Sequence, residues 1–338
     1  MLSGSRVHIL GAGVIGLSLA LELRRRGAEV TVLERGSAVS QASWAAAGML
    51  AARDPFNPPQ LAPLSALSAR LYPAFLEELE ELSGQPVPFQ TERTLQTLAD
   101  GSIVPLREHS IDPRQLALAL VAAVQATGVR ISQQYKATAA PSPFGNGQAP
   151  ALTVHTTGAW AAAPEIFPRK GQMLRVRLPS GCTLREVHRS EHVYVVPRTA
   201  GPQTGTALIG ATVEDAGFNT DTCDADLAAL RRAGAALVPR LPELLDAKHT
   251  PIVEAWAGLR PATVDDLPLL GDVTGADPGP TRHLIAAGHF RNGILLAPAT
   301  AVLLADIIQG RTPPIDLAPF SPARFTPAAV RIPPTGHL

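Results

Sequence analysis

The chain has 338 residues, 46% of them hydrophobic, with 29 basic against 29 acidic side chains, a composition that describes a globular protein with a sizeable core. Zero net charge leaves no basic surplus to neutralise phosphates, so the balance gives nucleic-acid binding no support. Cys182 and Cys223 are far apart and form no C-x-x-C pair, so neither a disulfide framework nor a zinc site can be argued from them, no metal is expected, and a reducing, cytoplasmic setting is the default expectation.

The first elements read as a nucleotide-binding opening. "RVHIL" is a β-prone run, "GAGVIG" places Gly11, Gly13 and Gly16 in G-x-G-x-x-G spacing around Val14 and Ile15, and "LSLALELRRRG" continues as a helix to Gly27. Gly11 permits the tight turn, Gly13 a close backbone approach to a pyrophosphate, Gly16 close helix–strand packing; the helix N-terminus attracts the anion. "EVTVLER" is a second strand ending at Glu34 and Arg35, where a carboxylate can bond ribose hydroxyls. The stretch from Val7 to Leu23 is apolar, but its glycines and charged sequel argue against a signal peptide, and no membrane span is expected. NAD and FAD both use this fingerprint. The small residues around Ser43, Ala47, Gly48 and Met49 suit either a surface for a flat ring or a packing seam.

Further along, "RDPFNPPQLAP" is a proline-rich loop that could act as a partial lid, and "SIDPRQLALALVAAVQATGV" is an amphipathic helix with Asp112 as N-cap, Pro113 at N1 and Gln115 completing a capping box. "PSPFGNGQAP" is rich in turn residues. "SEHVYVVPR" alternates as a strand, putting His192 and Tyr194 on one face, although such pairs also commonly just face solvent. Residues 226 to 246 read as a helix with Arg231 and Arg232 on a solvated face. In "EAWAGLRPAT", Arg260 precedes Pro261, which should take the chain out of regular structure. A guanidinium there can bind a carboxylate through two parallel hydrogen bonds or form a structural pair with Asp265 or Asp266. "RHLIAAG" reads as a strand and "ILLAPATAVLLADIIQG" as a helix with Pro298 near its first turn; His289, Arg291, Asn292, Gly293 and Ile294 join the two. Arg291 could equally cap a helix or pair with an acid. The tail from Arg311 reads as extended over the surface.

Taken in order, "GAGVIG", "ASWAAAGML", "TGAW", "KGQML", "YVVPR", "WAGLRP" and "GHFRNGILLAPATA" resemble the D-amino-acid oxidase superfamily of FAD-dependent oxidoreductases, and within it the glycine oxidases of the thiamine pathway. The resemblance runs from about residue 6 to about residue 325. It implies an α/β fold, with a Rossmann-like FAD-binding domain of the glutathione-reductase type (1–82, 108–166 and 256–338) and an interleaved antiparallel-sheet substrate domain (83–107 and 167–255). It implies non-covalent FAD: Gly11, Gly13, Val14, Ile15, Gly16, Glu34 and Arg35 at the ADP half. Ser43, Ala47, Gly48, Met49, Gly158, Trp160, His289, Arg291, Asn292, Gly293 and Ile294 complete the cofactor site. Substrate would meet Arg260 as carboxylate anchor, with Tyr194, Arg291, His192 and Met49 around it. The implied reaction oxidises glycine, sarcosine or small D-amino acids by hydride transfer to flavin, with oxygen consumed, and glyoxylate, ammonia and hydrogen peroxide formed. A D-amino-acid or sarcosine oxidase or dehydrogenase is the alternative, and a non-catalytic dinucleotide-binding protein the third reading. Self-association is left open. Two stretches are shorter than in relatives: the linker around Gly101, and the segment between "GVRI" and "LTVHTTGAW". Both bear on pocket walls and subunit contacts.

Overall fold

The computed structural model describes residues 4–135, 152–163, 165–239, 241, 244, 246, 248–274 and 281–325. The turn-rich "PSPFGNGQAP" and the end of the tail lie outside the described residues.

Two sheets organise the chain. The first contains β1 (Arg6–Leu10), β2 (Glu29–Leu33), β5 (Arg130–Ser132), β6 (Leu152–His155), β12 (Leu269–Asp272) and β13 (Arg282–Ala287), in the order β12-β13-β6-β1-β2-β5. All neighbours are parallel except β12 and β13. The chain winds outward from β1 through β2 to β5, then returns to β6 on the other side of β1. Ligands in such sheets bind beyond the carboxyl ends of the strands at this reversal. Thr156, just past β6, ties the two central strands together there by donating to the Leu10 and Gly11 carbonyls, both at 2.9 Å.

Four helices cover one face of this sheet: α1 (Val14–Arg25), α3 (Ala62–Ser83), α4 (Pro113–Ala126) and α6 (Gly293–Ile308), around a core that includes Val7, Ile9, Val32, Leu120 and Leu296. Asp112 caps α4 by accepting from the Arg114 amide at 2.9 Å. The expected capping box does not close, because the Gln115 amide lies against Gly201 instead. The turn before α6 and the helix itself, Phe290–Ile308, are together long and apolar enough to cross a bilayer by length and composition alone, but 67% of that window is buried in this fold, as in the core helix of a globular protein.

Pro298 lies inside α6, not in its first turn. A proline there lacks the N–H that would satisfy the Ile294 carbonyl. Helix α3 repairs the break: Tyr72 Oη donates to the Ile294 carbonyl at 2.5 Å. Ser68 then bridges the next rung, accepting from the Ala299 amide at 3.2 Å and donating to the Leu295 carbonyl at 2.6 Å.

The second sheet runs β11-β7-β10-β9-β8-β3-β4. Its strands are β3 (Thr94–Thr97), β4 (Ile103–Leu106), β7 (Phe167–Arg177), β8 (Val187–Arg189), β9 (Tyr194–Arg198), β10 (Thr206–Gly210) and β11 (Ile252–Ala262). The linker around Gly101 is the turn of the β3–β4 hairpin. Strand period two divides the sheet's faces. Leu174, Val176, Val195 and Ile209 pack with α5 (Asp224–Leu237), whereas Met173, Val196 and Leu208 cluster with Ala47 on the other side. Helix α5 ends well short of residue 246. Arg231 is buried rather than solvated, because it donates to the Leu244 and Thr250 carbonyls, both at 2.6 Å.

Strand β11 continues through Arg260 and Pro261, against the expectation that Pro261 would end it. It is an edge strand, where a missing ladder donor costs nothing, and Pro261 pairs opposite Pro168. The tail is not simply extended: residues 318–320 and 322–324 form short 3₁₀ turns, Phe320 is buried, and Arg324 pairs with Asp265 at 2.8 Å.

Candidate active site

A cavity of about 1140 Å³ lies between the two sheets, reaching from the end of β1 to β9 and β11. That exceeds the roughly 300–1,000 Å³ that holds a drug-sized ligand.

At one end the backbone forms a cradle for phosphate. Gly11 has φ +106, and a Cβ on it would come 2.6 Å from the Thr156 carbonyl oxygen. A Cβ on Gly16 would strike the Gly11 carbonyl at 2.0 Å, so the third glycine serves packing while the second opens the cavity side. Gly13 caps α1 with no side-chain cap and no acid in the first turn, leaving the helix's positive end free of counter-charge. Of the amides there, that of Val14 donates to Ser43 Oγ at 3.0 Å, and Ile15 also lines the wall. Glu34 accepts from the Ala12 and Gly36 amides, both at 2.8 Å, which aims its carboxylate at this end. Arg35 lies 3.9 Å above the Trp160 ring, and Trp160, after Gly158, stacks on Phe218 at 5.4 Å. These residues suit the ADP half of a dinucleotide, and the acidic Glu34 disfavours a 2′-phosphate.

The small-residue run serves both purposes considered for it. Ala45, Ala47, Gly48 and Met49 line the cavity. A Cβ on Gly48, at φ +86, would meet the Ile111 carbonyl at 2.1 Å, and the Ala47 carbonyl accepts from Arg198 at 2.9 Å. The run is therefore a packing seam whose remaining face is a smooth wall.

The turn before α6 presents its residues as the sequence suggests. Gly293 and Ile294 line the cavity at the helix start, and Asn292 donates from Nδ2 to Asn57 Oδ1 at 3.0 Å. Arg291 reaches the cavity, with Nη2 3.6 Å from Asp54 Oδ2. His289 is 3% exposed with Nε2 3.1 Å from Thr300 Oγ1, and burial pushes its pKa down to about 3. It is a neutral wall residue.

At the other end sit Arg260 and Tyr194. Arg260 Nη1 donates to the Thr212 carbonyl at 3.1 Å and the Lys170 carbonyl at 3.4 Å. No pair with Asp265 forms, since Asp265 is taken by Arg324. Burial is the main influence on both groups, holding the Arg260 guanidinium below and the Tyr194 phenol above its ordinary pKa; Arg260 and Arg291 pull Tyr194 back down. Tyr194 is thus a neutral hydroxyl beside a fixed cation, with Oη 3.0 Å from Met173 Sδ.

Two glycines that sequence reading passed over make room for this pair. A Cβ on Gly171 would come 2.3 Å from both Arg260 Nη atoms, and one on Gly210 would come 2.6 Å from Tyr194 Oη. The signal was present: a glycine inside a strand often marks a close approach. His192 differs from expectation. It lies in the bend before β9, 84% exposed, 3.8 Å from Glu191, so no strand face brings it beside Tyr194. It stands at the cavity rim.

A family profile described as FAD dependent oxidoreductase matches residues 6–107 and 98–307. The glycine oxidase of Geobacillus kaustophilus is 30% identical over 378 residues, covering 94% of this chain and 96% of that protein. A bifunctional ThiO/ThiG protein of Trichormus variabilis is 33% identical over 391 residues, covering 98% of this chain; the chain spans only 57% of that relative's length. The crystal structure of the Geobacillus kaustophilus glycine oxidase superimposes with a TM-score of 0.81 at 27% identity, over 95% of this chain and 99% of that one. The first alignment with the bifunctional relative is longer than the whole chain, consistent with the shortened segments. With the glycine turn at the start of α1, the acid-ended second strand and a cavity running from the end of β1 to β9 and β11, these matches place the chain in the family of FAD-dependent oxidoreductases.

Proposed function

We propose that this protein oxidises the amine of a small amino acid, glycine first, with sarcosine and small D-amino acids as neighbouring substrates. The observation that carries the reading is the half-buried Arg260 beside neutral Tyr194, at the end of the cavity remote from the phosphate cradle. FAD, when bound, accepts the hydride and passes its electrons to oxygen. The net change converts glycine, oxygen and water to glyoxylate, ammonia and hydrogen peroxide.

The chain's own work is binding and orientation. Arg260 has guanidinium N–H groups beyond those given to Thr212 and Lys170, enough for a two-point grip on carboxylate. Tyr194 contributes a hydroxyl, Met49 an apolar wall, and His192 stands at the entrance. Arg260, which no carboxylate pairs within 4 Å among the described residues, makes this end cationic, which lowers the pKa of a bound ammonium and favours the neutral amine that hydride loss requires. No side-chain base is invoked: His289 is engaged with Thr300. Neither cysteine lines the cavity, which supports non-covalent FAD. Kinship with a glycine oxidase along nearly its whole length supports glycine, and that with the bifunctional ThiO/ThiG protein supports a supply role in thiamine thiazole assembly.

The test is an anaerobic absorption spectrum of the purified protein with glycine, sarcosine, D-alanine and D-proline added in turn. Fastest bleaching by glycine is expected. Preference for a bulky D-amino acid would move the reading to a D-amino-acid oxidase, and a protein that cannot be reconstituted with FAD would refute it.

A further inference from the structure

A set of buried charges runs from the second sheet to the cavity and ends at Asp54. This residue lies in the turn after the small-residue run, lines the cavity, and has a side chain only 8% exposed. Its two oxygens are used differently. Oδ1 accepts from the Phe56 amide at 3.0 Å and holds the local turn. Oδ2 faces two arginines, 3.6 Å from Arg291 Nη2 and 3.9 Å from Arg189 Nε. Both distances exceed hydrogen-bond length, so the carboxylate acts there as a charge.

The two arginines are not equivalent. Arg189 is buried and committed elsewhere: Nε donates to Gln96 Oε1 at 2.6 Å, and Nη2 lies 3.1 Å from Glu108 Oε2. Glu108 in turn accepts the Arg53 amide at 2.7 Å, which fixes the segment carrying Asp54. Arg291 is partly exposed to the cavity and close enough to act on Tyr194 and Arg260. Asp266 also lies in its field, but from an exposed position where solvent screens it. Asp54 is therefore the one buried counter-charge within 4 Å of Arg291 among the described residues.

We infer that Asp54 is a specificity-determining residue: its carboxylate occupies Arg291 and so restricts the cavity to substrates carrying a single carboxylate. The inference rests on the reading that Arg260 anchors that carboxylate. Without Asp54 the cavity would offer two guanidinium groups, Arg260 and Arg291, and a ligand with two carboxylates could bridge them. With Asp54 in place, a second carboxylate approaching Arg291 meets a buried like charge already paired there. Rejection through an unfavourable charge, rather than through lack of room, is an established route to specificity. The same arrangement leaves a monocarboxylate on Arg260 undisturbed.

The test needs no turnover. The FAD-loaded protein is titrated with acetate and with malonate, and each dissociation constant is read from the perturbation of the flavin spectrum. In the wild type, malonate should bind at least tenfold more weakly than acetate. Asp54→Asn keeps an oxygen for the Phe56 amide and removes the charge; it should tighten malonate at least tenfold while acetate changes less than threefold. Asp54→Ser, which can also accept from that amide, guards against a folding defect peculiar to one variant. Adding Arg291→Gln to Asp54→Asn should abolish the gain. A malonate-to-acetate ratio that is the same in wild type and both Asp54 variants overturns the proposal while leaving the Arg260 anchor intact. If acetate binds equally well to wild type and to Arg260→Lys, the anchor itself falls, and this inference with it.

Discussion

Replacing Gly171 with alanine separates the proposed carboxylate anchor, Arg260, from the fold. The backbone at this position is ordinary strand, so alanine strains nothing locally, but its methyl would come 2.3 Å from both terminal nitrogens of Arg260 and 2.5 Å from the carbon between them. Ordinary contact is about 3.5 Å or more, so the guanidinium must retreat by roughly 1 Å. Because it is the end of a flexible side chain, it can swing away, and the cost to folding should stay within the lower part of the ~1–3 kcal/mol typical of overpacking. The cost to binding is larger. A charge-assisted hydrogen bond contributes about 1.5–3 kcal/mol, equivalent to roughly ten- to 150-fold in affinity when the grip is lost. The expected result for Gly171→Ala is an unfolding temperature a few degrees below wild type, FAD retained, and a glycine KM and acetate dissociation constant raised by ten- to 150-fold. Carboxylate affinity within twofold of wild type would refute the argument that this guanidinium holds the substrate.

Three further outcomes follow from the same geometry. Tyr72→Phe removes the donor to the Ile294 carbonyl that Pro298 leaves without an amide, so a buried acceptor goes unsatisfied; stability should fall by ~1–3 kcal/mol, read as a lower urea midpoint at unchanged slope. Glu34→Gln replaces one of the two oxygens that accept the Ala12 and Gly36 amides with a donor, and FAD should bind at least about tenfold more weakly on fluorescence titration, equal affinity counting against the assigned cofactor end. His289 is held neutral by burial, with a folded pKa near 3 below an unfolded value of about 6.5, and His8 and His155 are pushed to about 4. The unfolded chain takes up these protons first, so stability is full above pH ~6.5 and falls as pH drops toward ~4, by up to ~1.4 kcal/mol per unit for each histidine. Denaturation midpoints at pH 7.5, 6 and 5 should show the slope, and His289→Gln should make it shallower by the share of that one histidine.

The parts of this protein that sequence made legible are those whose geometry is local. The glycine spacing of the first turn reads correctly because Gly11 and Gly16 answer to atoms of the same turn and of the next central strand. Asp112 reads correctly as a cap for the same reason. What escaped depends on distant partners. Pro261 stays in its strand because β11 has an edge, a property of the assembled sheet. Arg231 is buried because the segment up to Thr250 folds back with its carbonyls toward α5. His192 and Tyr194 alternate in sequence, but the strand begins only at Tyr194. The value of Gly171 and Gly210 becomes visible only once Arg260 and Tyr194 have been brought over them.

The splice between α3 and α6 bears on how the molecule comes into being. Helix α6 carries a broken rung that Tyr72 and Ser68, more than two hundred residues earlier, mend, and its first turn is also part of the cavity wall. During synthesis the phosphate cradle leaves the ribosome early, yet the wall it shares with α6 cannot close until residue 308 has been made and docked. A chain cut anywhere between the first glycine turn and α6 would keep the glycine spacing but lack part of the cavity wall.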